Sequence, residues 1–169
     1  HLLALGHTRI AILSGPKDVT TAYDRVLGYR RALDEAGLQP DQALIFFGEY
    51  TVDGGYHMAR EAIAAQPRPT ALFASNNFIA VGAMRALHEA GLAVPDDISL
   101  AAFDDLPVSY VGDPFLTVIE QPTYLMGVRA TELLLERLAG KEPPEPQEII
   151  LPTRLTVRTS TAPVPVVLR

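Results

Sequence analysis

The chain of 169 residues has no cysteine and no tryptophan. Without thiols there is no disulfide framework, no thiolate nucleophile and no cysteine metal site, and the redox compartment leaves no trace. Basic charge is scarce: the only lysines are Lys17 and Lys141, and the net charge is −6. No basic patch forms, so these residues are not expected to grip a phosphate backbone themselves. No apolar run approaches the ~18 residues of a membrane span, and no membrane partner is expected. His57 and His88 have no companions at metal-ligand spacing. His7, just behind Gly6, reads as a capping or loop residue. The G-x-S-x-G elbow, the P-loop, H-E-x-x-H and G-x-G-x-x-G are all missing. No cofactor or metal is implied, and the chain does not read as an enzyme. The front lacks a methionine, a leader and a helix N-cap. His1 to His7 (HLLALGH) reads as the last turns of a helix stopped at Gly6, so the natural protein is expected to extend upstream.

What is present is apolar and periodic. Hydrophobic residues make up 48% of the chain, enough for a sizeable core in one domain or one and a fraction. The organising stretch is residues 69–105. Ala71 to Ala74 is a short apolar run between Pro69 and Ser75-Asn76-Asn77, which reads as a buried strand. Ala80, Ala83, Met84 and Leu87 then recur at helical spacing, and Gly91 stands where a left-handed C-cap would be. Pro95-Asp96-Asp97 makes a turn. A second apolar strand, Ile98 to Phe103, stops at Asp104-Asp105. Strand, helix, strand with short loops is a right-handed βαβ unit. Ligands of open α/β sheets bind at the carboxyl ends of the strands, where both of these strands carry polar residues.

The rest of the chain repeats the pattern. Arg9 to Ser14 is a strand broken by Gly15-Pro16. A helix over 21–36 carries Val26, Tyr29, Leu33 and Ala36 on one face. Leu44 to Phe47 is a strand, and Thr51 or Asp53 caps a helix with Tyr56, Ala59 and Ile63 on its apolar side. After an irregular stretch (106–115) come a strand at 116–119 and a helix at 124–139. The leucines of that helix exceed one stripe and predict burial on more than one side. Residues 141–147 read as a linker, 149–151 and 155–157 as short strands, and 162–169 as an unpaired tail. The alternation predicts a parallel sheet with helices on both faces.

HLLALGHTRIAILSGP, RVLGYRRALDEAGL, PTALFASNNFIAVGAMRALHEAGLAVPDDISLAAFDD, LTVIEQP and LPTRLTVRTST, in that order, resemble the effector-binding core of the LacI/GalR family of bacterial transcription regulators. The resemblance covers nearly all of residues 1–161. It implies a Rossmann-like, periplasmic-binding-protein-like α/β fold in which 1–121 is the C-terminal subdomain with a truncated first helix. On this reading 122–140 is a helix belonging to the N-terminal subdomain, 141–161 are return strands, and 162–169 is a tail. It further implies a small-molecule effector between two halves, a homodimer, a cytoplasmic protein, and DNA contact only through a helix-turn-helix domain upstream. By the same resemblance Arg25, Asn76 and Asp104 contact the effector, Tyr50 stacks on it, and Thr21 and Gln121 hold contact or hinge positions. The dimer face would include Val81, Met84 and Arg85, at i, i+3, i+4, and Tyr110.

Two departures from the family pattern stand out. Asn76-Asn77 replaces the usual Asn-Asp, removing a charge beside the site, and Ala102 stands where Gly is common. A carboxylate, an amide, a guanidinium and an aromatic ring suit a sugar or nucleobase, so a carbohydrate effector is expected.

Each residue also has a plainer reading. Asn76 and Asn77 suit a strand-end turn and helix N-cap, Asp104-Asp105 a turn pair, Arg25 a surface ion pair, Tyr50 simple packing, and Met84 the core. At the level of the whole protein, a periplasmic sugar-binding protein of a transport system shares the fold. The acid pair at a strand end also resembles a phosphotransfer pocket, but neither lysine is placed to complete one.

Overall fold

The structure is a computed structural model that describes residues 1–106, 114–141, 145 and 147–164. Six strands, β1 (Ile10–Ser14), β2 (Ile45–Phe47), β3 (Ala71–Ala74), β4 (Ser99–Phe103), β5 (Thr117–Glu120) and β6 (Arg154–Thr156), form one sheet in the order β2-β1-β3-β4-β5-β6. The first five are parallel. The sixth runs antiparallel to β5 at the edge of this otherwise parallel sheet, a direction that the alternation of elements does not specify. Helices α1 (Thr20–Glu35), α2 (Val52–Ala64), α3 (Asn77–Glu89) and α4 (Thr123–Leu138) connect them. The sequence places each helix within about two residues of its observed bounds.

One face of the sheet is sealed. Leu13, Leu72, Leu100 and Val118 have no exposure and pack against Met58, Ala59 and Ala62 of α2 and Ile79, Ala83, Ala86 and Leu87 of α3. Each large side chain so buried contributes ~1.5–3 kcal/mol. Gly55 and Gly82 at the contact let the two helices approach closely. A Cβ on Gly82 would fall 2.0 Å from the Val52 carbonyl oxygen, so no larger residue fits there. Tyr56, Ile63 and Met84 are only half-buried and flank this contact.

The opposite face is covered by α1 on the β1 side, through Ala22, Val26 and Leu33. Tyr29 lies partly buried beside them and donates to the Ile10 carbonyl at 2.8 Å.

Three expectations need correction. Helix α4 buries none of its residues, and Leu134, Leu135 and Leu138 are exposed, because nothing among the described residues packs on it. Residues 149–151 form no strand; Ile150 is exposed and pairs with no neighbour. Residues 162–164 are not an unpaired tail: Ala162 N–H donates to Ser99 Oγ at 3.1 Å, and Val164 N–H to the Leu5 carbonyl at 3.1 Å. His7 does lie in the loop after Gly6, as expected, but it is not at the surface. It is 1% exposed, and its ring joins Thr70 Oγ1 and the Ala162 carbonyl at 2.9 Å each. The front residues do form a terminal helical turn. His7 N–H reaches back to the Leu2 carbonyl at 3.1 Å, and Gly6 has φ 87°, the left-handed stop that glycine supplies.

Candidate functional site

The parallel register lines up the strand ends. Ala74 pairs with Leu13 on one side and with Ala102 on the other. Two residues further on, Gly15, Asn76 and Asp104 therefore leave the sheet side by side, at the usual strand spacing of about 4.8 Å. Tyr50 follows β2 and Gln121 follows β5. Four strand ends thus deliver candidate residues to one edge, around the β1/β3 switch point where this strand order places its ligands.

Each side chain has a local reason for its place. Asn76 caps α3: its Oδ1 accepts from Ile79 N–H at 2.8 Å. The capping reading is therefore correct for the oxygen, and the NH₂ group has no partner among the described residues. Asp104 has φ 67° and is the one non-glycine residue described in the left-handed region, which aspartate tolerates better than most residues. Its N–H donates to the Ile119 carbonyl at 2.9 Å, and its Oδ1 accepts from Gln121 Nε2 at 2.6 Å. One carboxylate oxygen is thereby oriented by Gln121.

Arg25 makes no ion pair among the described residues, contrary to its plainer reading. Its guanidinium lies 4.1 Å from the Phe103 ring centroid and 6.0 Å from that of Tyr50. A stacked guanidinium keeps its in-plane donors for a ligand. Arg25 Nη1 and Thr21 Oγ1 reach the Tyr50 hydroxyl only at 3.4 and 3.5 Å, long and weak contacts. The Tyr50 ring lies flat over Gly15, where a Cβ would come within 2.2 Å of it. Glycine is what lets the ring settle over the strand end.

A trough of about 670 Å³ adjoins this edge. Thr21, Arg25 and Gln121 line one end of it, while Leu2, Leu3, Phe73, Ala101, Ile119 and Leu155 line the rest. It runs along the sheet face that α1 leaves open. Tyr50, Asn76 and Asp104 do not line it, so the polar edge and the apolar trough are contiguous but distinct.

Sequence reasoning missed Phe103 and Arg158. Phe103 shares its face with Phe73 by strand alternation, a signal within reach of the pattern. Arg158 gave no local signal. It lies 53 positions from Asp105, yet binds that carboxylate with both terminal nitrogens, at 2.8 and 2.5 Å. This guanidinium holds the Asp105 carboxyl below its ordinary range. Of the proposed dimer residues, Val81 and Met84 are half-buried and Arg85 is exposed. Arg85 pairs with Glu89 at 3.0 Å and stands 4.6 Å from the Tyr56 ring centroid. Tyr110 lies outside the described residues. No cluster of three or more potential metal ligands occurs among the described residues, and no described helix is long and apolar enough to cross a membrane.

Residues 1–161 match the periplasmic binding protein-like domain family, and the chain belongs to it. Within that fold its relatives are regulators of the LacI family. It is 38% identical over 159 residues to the HTH-type transcriptional regulator CelR of Thermobifida fusca, covering 94% of this chain and 46% of that protein. It is 37% identical to the HTH-type transcriptional repressor PurR of Vibrio atlanticus, covering 84% and 42%. A solved CelR–cellobiose complex superposes with a TM-score of 0.86 at 37% identity, covering 94% of this chain and 48% of that one. A LacI family regulator from Enterococcus faecium with bound ribose does so with a TM-score of 0.86 at 34%, covering 98% and 61%. The chain spans less than half the length of these curated relatives. The transport reading finds no support among them.

Proposed function

We propose that this chain is the effector-binding and dimerisation part of a LacI-type transcription regulator, and that its effector is a sugar or nucleoside-like molecule. The observation that carries the reading is the convergence of Arg25, Tyr50, Asn76, Asp104 and Gln121 on one edge of the sheet. An oriented carboxylate, an uncommitted amide NH₂ and a stacked guanidinium offer fixed acceptors and donors to hydroxyl groups, and a tyrosine ring offers an apolar cover. The cellobiose and ribose bound by two structural relatives are molecules of this kind. No step of covalent chemistry is assigned, and the protein acts in the cytoplasm by binding alone.

The exposed leucines of α4 belong, on this reading, against an N-terminal half of the effector core, with the effector between the halves. A homodimer forms through the outer stripe of α3, Val81, Met84 and Arg85, together with Tyr110. DNA is bound by a helix-turn-helix domain upstream. Effector binding shifts the dimer between two states through a difference in affinity for each.

The test uses the full-length protein in calorimetry against a panel of sugars and nucleosides, with operator release as the second readout. Asp104→Asn keeps the shape and the bond to Gln121 but removes the charge. It should weaken the bound effector at least tenfold, worth about 1.4 kcal/mol, with little change in melting temperature. Unchanged affinity would overturn the assignment of Asp104.

A further inference from the structure

The residue that follows Asp104 is held more firmly than Asp104 itself. Arg158 grips the Asp105 carboxylate with two charge-assisted bonds and also donates to the Leu116 carbonyl at 2.9 Å. Asp105 Oδ1 accepts from Leu106 N–H at 2.8 Å. The Asp105 carbonyl in turn accepts from Asn77 Nδ2 at 3.1 Å. Two distant elements, the first turn of α3 and the irregular segment after β6, thus close on Asp105, one on its carbonyl and the other on its carboxylate. Asp105 adjoins the left-handed Asp104, and such a conformation persists only when its surroundings over-determine it.

We infer that Asn77 and Arg158 are positioning residues for the effector site, clamping Asp105 so that the Asp104 carboxylate points along the strand-end edge. The inference rests on the effector reading of that edge. It also accounts for the amide at 77, where the family pattern usually has an acid. The group that meets the Asp105 carbonyl must donate a hydrogen bond. An aspartate there would set an acceptor against an acceptor and add negative charge beside Asp104 and Asp105. The clamp assigned here therefore requires asparagine at 77, and it leaves a site with one charge fewer.

Asn77→Asp separates positioning from folding. Asn77 Oδ1 accepts from Phe78 N–H at 2.9 Å, a bond that a carboxylate keeps. An acid in the first turn of a helix is also favourable to the helix. A role confined to the bond with Phe78 N–H therefore predicts no loss in the variant. Positioning predicts a melting temperature close to wild type but hydrogen exchange at the Asp104 and Leu106 amides at least tenfold faster, read by NMR on the full-length protein. Any panel sugar that the wild type binds should bind at least fivefold more weakly. Arg158→Lys, which keeps the charge but not the paired fork, should show the same faster exchange. Unchanged exchange in both variants overturns the clamp. Faster exchange with unchanged sugar affinity leaves the clamp in place and overturns Asp104 as an effector contact, so the two failures are distinct.

Discussion

The two ends of the sheet treat their polar groups differently. At the amino end, Ser160 is fully buried; its hydroxyl donates to the Leu100 carbonyl at 2.6 Å and accepts from Thr117 N–H at 2.7 Å. Ser99, Thr117 and His7 are buried in the same bonded seam, which joins the start of the chain to residues 158–164. At the carboxyl end Ser75 is just as buried, yet its hydroxyl has no partner among the described residues. Asn76 keeps its NH₂ uncommitted, and Arg25 lies on a ring rather than in an ion pair. Buried polar groups are normally satisfied. The seam of Ser99, Thr117, Ser160 and His7 satisfies its polar groups and is built to stay closed, although Arg30 Nε, beside Tyr29, is buried without a partner among the described residues. The carboxyl end leaves donor capacity unused at the residues proposed to meet the effector.

The two serines give the largest test of that contrast. Ser160→Ala leaves the Thr117 N–H and one Leu100 acceptor without their partner. Each buried orphan costs ~1–3 kcal/mol, so the variant should lose about 3 kcal/mol in urea unfolding. Ser75→Ala removes a hydroxyl that is already unpaired. It should be neutral or should stabilise by up to about 1 kcal/mol. Equal losses in the two variants would abolish the distinction between the ends.

Much of this was legible beforehand, and the rest failed for identifiable reasons. The βα alternation, the caps and the strand-end residues follow from punctuation near each element: Pro69 before β3, Asn76 after it, Gly91 after α3. The direction of β6 did not follow, because a three-residue strand carries no signal of which way it runs. The seam at 158–164 was invisible because its bonds span 60 positions from Ser160 to Leu100 and 155 from His7 to Ala162. The leucines of α4 did report a surface that seeks cover. What they could not report is whether that cover lies within these residues. At the candidate site, Arg25, Asn76 and Asp104 were proposed from the resemblance, while Arg158 needed the folded chain to meet Asp105.

The closed end should also respond to acid. His7 Nε2 faces a carbonyl and must donate, and since burial favours the neutral ring, Nδ1 accepts from Thr70. Burial lowers its folded pKa below the ordinary 6.5, against a smaller raising effect from the Ala162 carbonyl. The unfolded chain then binds more protons than the folded one between the two values. Stability is therefore fully present above about pH 6.5 and is lost as pH falls through the folded pKa. Urea midpoints measured between pH 8 and pH 5 should show this loss in the wild type. His7→Gln, less stable throughout, should lack that part of the slope. A slope unchanged by the substitution would assign the acid response to other groups.

The smallest effect on stability is expected at Asn76, whose side chain caps α3 and is proposed to meet the effector as well. Its oxygen caps α3, and asparagine and aspartate cap about equally well. Asn76→Asp keeps that oxygen and places a charge at the helix N-terminus, worth about 0.3–1 kcal/mol. The neighbouring Asp104 carboxylate opposes the gain. Unfolding free energy should therefore move by no more than about 0.5 kcal/mol. The donor capacity of the amide is lost altogether, and a hydroxyl ligand that accepts from it should bind about tenfold more weakly, the equivalent of ~1.4 kcal/mol. Stability and affinity measured on the same variant thus separate the cap from the contact. A fall in stability with unchanged affinity would make Asn76 a capping residue alone, and the open end would lose one of its members.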